Sequence, residues 1–246
     1  MLKKFMADLH IHSCLSPCGE LSMTPQKIIN EAKKKQLDFI AVSDHNSAEN
    51  ISAILNVAEK NSLTVIPAME ICSIEEVHTL ALFRDLDSVL EMQSIVYNNL
   101  KGKNNPDVFG LQVIGNENDE VEGFVDKLLI GATELSVDEI VNQVHTLDGL
   151  AIASHIDRES YSVISQLGFI PQNLEYDALE ISSNISVEEA RNRFAEYSVR
   201  PFIRNSDAHK LEDIAKCTTQ FFIEEPSFDE VKKAFKNIGG RSIGIN

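Results

Sequence analysis

The sequence predicts an α/β protein built as a closed barrel of parallel strands. Three observations predict it. Short apolar runs alternate with amphipathic, capped stretches along the chain. Such alternation implies parallel strands joined by helical crossovers. Nearly every expected strand also ends in His, Asp or Glu, as it would if one rim of a barrel carried a site.

In order, KFMADLHIHS is the first strand. Phe5, Ala7, Leu9 and Ile11 share one face, expected to meet outer helices. Met6, Asp8, His10 and His12 share the other, so that both imidazoles point inward. Thr24-Pro25 reads as N-cap and first residue of a helix through QKIINEAKKK. LDFIAVSD is a strand, a helix begins near Ser47, and LTVIPAME is the next strand. A helix near DLDSVLEMQSIVYNNL follows. Ser136 and Glu139 form a capping-box pattern before VDEIVNQVHTL. LAIAS, DALEISS, RPFIRNSD and TTQFFI are further strands, and Ser227 with Glu230 caps a last helix. Residues 1–246 are expected to form one barrel domain. An insertion at about 101–133 breaks the alternation, with two extended runs around Asn116-Glu117-Asn118-Asp119. It is expected to be hairpin-like and to lie over the barrel mouth.

Composition bounds the function. The 246 residues are 43% hydrophobic and 24% charged, with 22 Lys+Arg against 38 Asp+Glu, a formal net charge of -16. That sign argues against capture of extended nucleic acid, which needs a basic footprint, and favours attraction of cations. No apolar run suggests a signal peptide or a membrane span. Four cysteines in a chain of this length are no disulfide framework, so a cytoplasmic protein with reduced thiols is expected.

The strand ends carry the chemistry. His10 and His12 end the first strand; His45 follows FIAV, Glu70 follows LTVI, His155 follows LAIA, and Asp207 and His209 follow PFI. His78, in EVHTLALF, belongs to a loop or strand start near the same rim. His145 sits mid-helix and reads as a surface or boundary residue. Six histidines, a glutamate and an aspartate exceed what one ion can use, so two or three divalent ions are expected. Imidazole suits zinc or iron, and carboxylate also suits manganese. Paired ions about 3.5–4 Å apart support hydrolysis at phosphorus.

The motifs DLHIHS, SDHN, PAMEI…VHTLALF, ASH and NSDAH, in that order, resemble the polymerase-and-histidinol-phosphatase (PHP) family across essentially the whole chain. The resemblance implies a distorted (β/α)7 TIM-like barrel and a three-metal phosphoesterase site. It implies one ion on His10, His12, Glu70 and Asp207, and a second sharing Glu70 with His78 and His155. A third would take His45, His209 and a residue of the loop SCLSPCGE. Cys18 falls at the spacing expected for that ligand and Glu20 competes with it; relatives usually present Asp or His there. A thiolate suits zinc or iron. Cys14 reads as a packed residue.

For substrate, Arg158 is the expected phosphate fork and catalytic residue beside Glu70 and Asp207. Asn46 either donates to a substrate oxygen or turns the chain. Arg204 and Lys210 rank lower. The expected function is hydrolysis of a small phosphomonoester, such as a nucleotide or a sugar or amino-alcohol phosphate, by a metal-activated hydroxide. An exonuclease-like phosphodiesterase and a non-catalytic metal-binding module are the alternatives.

Overall fold

The computed structural model describes residues 1–245. In chain order the elements are β1 (Lys3–Ile11), α1 (Pro25–Lys34), β2 (Phe39–Val42), α2 (Ile51–Lys60), β3 (Thr64–Cys72), β4 (His78–Leu82), α3 (Leu86–Asn99) and α4 (Pro106–Phe109). Next come β5 (Val113–Gly115), β6 (Val121–Phe124), α5 (Val137–Thr146), β7 (Leu150–Ala153), α6 (Val163–Leu167), β8 (Ala178–Ile181) and α7 (Val187–Arg193). The chain ends with β9 (Phe202–Arg204), β10 (Thr219–Ile223), α8 (Phe228–Phe235) and β11 (Ser242–Ile245). Nine strands form one sheet in the order β11-β10-β1-β2-β3-β4-β7-β8-β9, curled into a nearly closed barrel.

The pairing is less regular than an all-parallel barrel. β1–β2–β3 and β7–β8–β9 pair in parallel. β4 runs antiparallel between β3 and β7, and β10 antiparallel between β1 and β11. The reversal of β4 follows from a tight hairpin in which Cys72 faces His78, closed by Ser73 N donating to Val77 O at 2.9 Å. The first residue of β4 therefore lies at the rim where the parallel strands end.

One face of the strands lines the barrel interior with Ala7, Leu9, Phe39, Ala41, Ile66, Leu80 and Ile152, and α8 closes the end where β1 begins. The other face packs under the helices through Ile40, Val42, Met69, Ile71 and Ala153. β1 departs from the expected alternation. Asp8 pairs with Ile40 and Ile11 with Val42, so Leu9 and His10 together oppose Ala41. This extra residue is a β-bulge. Ahead of it Phe5, Ala7 and Leu9 face the interior rather than the helices; beyond it Ile11 faces the helices. The bulge lets apolar residues fill the barrel floor while His10 and His12 still turn inward above them. Its Leu9 N–H donates to Asn205 Oδ1 at 2.9 Å, and Asn205 Nδ2 donates to Glu180 at 2.8 Å.

α5 carries the full capping box of Ser136 and Glu139, and Ser227 accepts from Glu230 N to cap α8. Pro25 opens α1, yet Thr24 makes no side-chain cap bond. Asp119 instead accepts from Gln26 N at 2.9 Å, supplying the free helix terminus from a distant turn. That turn joins β5 and β6, a two-stranded antiparallel sheet. The hairpin lies against α1 and the loop after β1, where Val113 N donates to Cys14 O at 3.0 Å. Gly110, at φ 95°, approaches this loop so closely that a Cβ would stand 2.7 Å from Pro17 O. No helix of the described residues is long and apolar enough to cross a membrane.

Replacing Asn205 by Ala should strand the buried Leu9 N–H and cost about 1–3 kcal/mol of stability. Urea denaturation measures it; an unchanged midpoint would show that the bulge does not need this bond.

Candidate metal centre

Glu70 stands at the middle of the site. On β3, Ile66 and Ala68 face the interior, and the two-residue period carries the Glu70 carboxylate to the rim on the same face. It is 1% exposed. Its Oε1 has His78 Nδ1 at 3.1 Å and His10 Nε2 and His155 Nε2 each at 3.3 Å. Its Oε2 has His45 Nδ1 at 3.1 Å and His12 Nε2 at 3.6 Å. Asp207 Oδ1 lies 3.0 Å from His12 Nε2 and 3.4 Å from His10 Nε2. His209 stacks on His12 with ring centroids 4.2 Å apart. All eight side chains named for the rim thus converge.

Three groups have donor atoms close enough to share an ion: His10–His12–Glu70, His45–Glu70–His78 and His12–His45–His209. Despite its neighbours, Glu70 Oε1 forms no hydrogen bond among the described residues, nor does His78 Nδ1. Buried polar atoms are ordinarily paired. Atoms that converge without bonding each other fit a shared cation, and imidazole with carboxylate fits zinc, iron or manganese.

The far sides of the rings are held. His10 Nδ1 donates to Glu180 Oε2 at 3.0 Å. His12 Nδ1 donates to Ser16 Oγ at 3.0 Å, and that hydroxyl donates to Asp44 at 2.6 Å. His209 Nδ1 donates to Asp207 O at 2.9 Å. Each bond suits the tautomer in which Nε2 is free to hold a cation. Glu180 also accepts from His155 N at 3.0 Å, so one carboxylate ties β1, β8 and the end of β7.

The electrostatics follow from these contacts. Burial disfavours a charged His10, but Glu180, Glu70 and Asp207 outweigh it and hold its pKa well above the usual imidazole value. Burial, then His209 and His45, push His12 well below it. Burial would raise Glu70, yet His78 and His10 hold it well below the usual carboxylate range. His155 and Asp207 have φ of 30° and 51°, left-handed values that cost a non-glycine residue strain.

The remaining expected residues are placed as follows. Cys18 lines the cavity with His45 and His209, whereas Glu20 turns to Lys210 and Ser22. Arg158 also lines the cavity, with one guanidinium nitrogen 2.6 Å from Asp207 Oδ2. Asn46, offered as a substrate contact, is wholly buried and occupied elsewhere. Its Nδ2 donates to Leu129 O and Gly131 O, each at 2.8 Å, and its Oδ1 accepts from Cys72 N at 3.0 Å. It pins the chain beyond the hairpin, so Ile130 rather than the hairpin borders the cavity. His145 pairs with Asp177 away from the site, and Arg204 bonds Ile185 O.

Sequence reasoning missed Glu180, the Ser16–Asp44 pair and Tyr161. Glu180 carried a signal, a carboxylate on the interior face of DALEISS. Tyr161 carried none.

The PHP domain profile matches residues 8–166, and the PHP-associated profile matches residues 189–237. This chain belongs to the PHP domain family. Among solved structures it is similar to the lesion-specific endonuclease PfuEndoQ from Pyrococcus furiosus, with a TM-score of 0.76 and 24% identity over 98% of this chain. A second similar structure is Endonuclease Q with a 27-mer duplex carrying an abasic lesion at its active site, TM-score 0.74 and 22% identity over 98% of this chain. This chain spans 58% of the length of each of those two proteins. A protein from Bifidobacterium adolescentis assigned as a metal-dependent phosphoesterase matches with a TM-score of 0.58 and 20% identity, over 82% of this chain and 87% of its own. No curated protein sequence matches.

The duplex-bound endonuclease overturns the expectation that a small phosphorylated substrate is favoured over extended nucleic acid. That expectation rested on the net charge of -16. Net charge is a sum over the whole surface, whereas a phosphate meets only the groups around the site.

Burial raises the Cys18 thiol, but hydrogen bonds from His209 and His45 more than offset this and bring its pKa to about 6. Burial pushes Cys14 and Cys72 up to about 12. In metal-free protein at pH 7, iodoacetamide should therefore modify Cys18 first, and the rate should fall as pH drops through about 6. Peptide mass mapping checks this; equal rates at Cys18 and Cys14 would contradict it.

Proposed function

We propose that this protein hydrolyses phosphodiester bonds in nucleic acid, using two or three divalent ions held by the rim histidines, Glu70 and Asp207. The observation that carries the reading is the unpaired Glu70 Oε1 among three imidazole nitrogens within 3.3 Å. The similarity to a DNA endonuclease over 98% of the chain supports the substrate class.

In this reading His10, His12, Glu70 and Asp207 would hold one ion, and Glu70, His78 and His155 would hold a second. His45 and His209 hold a third with Cys18, which lines the cavity where Glu20 does not. His12 also lies within reach of that last pair. The bound ions supply Lewis acidity and lower the pKa of water. Glu180, and Ser16 with Asp44, keep the His10 and His12 acceptor atoms aimed at the centre. Arg158 steadies Asp207 with one nitrogen and offers its remaining donors to a phosphate oxygen.

The single test is turnover by metal-loaded protein of a labelled oligonucleotide against an aryl phosphate monoester. The oligonucleotide should be cleaved, and Glu70→Gln should lose metal and at least about a hundredfold in rate, the scale of removing one electrostatic group from a site. Turnover of the monoester alone would contradict the proposal, as would full metal content and rate in Glu70→Gln.

A further inference from the structure

The cavity beside the metal centre has a wall that the chemistry at phosphorus does not use. Tyr161 lines it next to Ser160 and Arg158, with Ile130 on the same cavity. The Tyr161 ring stacks on His78, with centroids 4.6 Å apart and planes 23° from parallel. One ring face is thus taken by a residue of the centre, while the residue remains 39% exposed. A large aromatic left open at the cavity is not explained by core packing.

Its placement is also held at a cost. Tyr161 has φ 59°, a left-handed conformation unfavourable for a bulky residue. The His78 N–H donates to Tyr161 O at 2.9 Å. The next residue, Ser162, caps α6 and donates through Oγ to Arg158 O at 2.8 Å. The segment that presents Tyr161 is therefore locked to His78 on one side and to Arg158 on the other. Ile130 is held comparably, because the carbonyls on both sides of it accept from Asn46.

We infer that Tyr161 is a stacking platform for the nucleobase adjoining the scissile phosphate, with Ile130 as an apolar neighbour. The inference rests on the nucleic-acid reading above. Every base has a π-face, so a single tyrosine gives sequence-tolerant affinity. The ring bears on His78, and so a stacked base is registered against the centre. A phosphate beside that base lies within the reach of Arg158.

The test is binding of labelled single strands to Ca²⁺-loaded protein by fluorescence anisotropy. The probes are a short oligothymidylate and a chain of equal length made of abasic residues. The wild type should prefer the base-bearing strand. Tyr161→Ala should lower that preference about fivefold or more, the scale of losing one stacked base. Tyr161→Phe should keep it, because the ring rather than the hydroxyl is used. A preference that survives in Tyr161→Ala, or is lost equally in Tyr161→Phe, overturns the inference. A wild type that binds both strands equally overturns it while leaving the nucleic-acid reading intact. A wild type that binds neither strand overturns both.

Discussion

The structure depends on one buried carboxylate. Glu70 sits at the rim with five imidazoles around its two oxygens and almost no solvent. Isolated charges in such a place are costly, and removing one partner of a buried pair costs more than the pair is worth. The cluster is therefore tolerable only as a whole, with its charges balanced among themselves and by cations. The opposed displacements of neighbouring groups express this: against its burial, three carboxylates raise the pKa of His10, while burial, His209 and His45 lower that of His12. Protons and metal ions compete for the same nitrogen atoms.

The rest of the barrel can be understood as support for that arrangement. The floor is apolar and closed by α8, which supplies the burial that offsets a polar rim. The bulge in β1 allows one strand to serve both layers, with Leu9 in the floor and His10 above it. Glu180 ties three strands behind the histidines, and Asn205 links that carboxylate to the bulge. His155 and Asp207 are among the residues held in left-handed conformations, here where they meet the centre.

Much of this was legible in the sequence. The rim residues stood out because polar groups ended apolar strands, and the strand ends of a barrel share one rim. The caps at Ser136 and Ser227 were visible because their partners are three residues away. What escaped depended on distant partners. Thr24 looks like a cap, but Asp119 does its work by accepting from Gln26 N, 93 residues away along the chain. The parity of β1 was misread for Phe5, Ala7 and Leu9, since a bulge leaves the residue pattern unchanged while shifting which face each side chain takes. Asn46 reads either as a substrate contact or as a chain turn; its φ of 50° fits the turn, and its three side-chain partners lie on two other segments. The charge argument on substrate failed for a different reason: composition averages a surface whose binding groups are local.

The central claim is that the convergent side chains hold a cluster of cations. Anomalous X-ray scattering from crystals of the metal-loaded protein, collected on both sides of the metal absorption edge, tests it most directly. The account predicts at least two anomalous peaks within coordination distance of the Glu70 carboxylate, one of them shared with His10, His12 and Asp207. Peaks confined to the protein surface, or a rim without any peak at saturating metal, would contradict it.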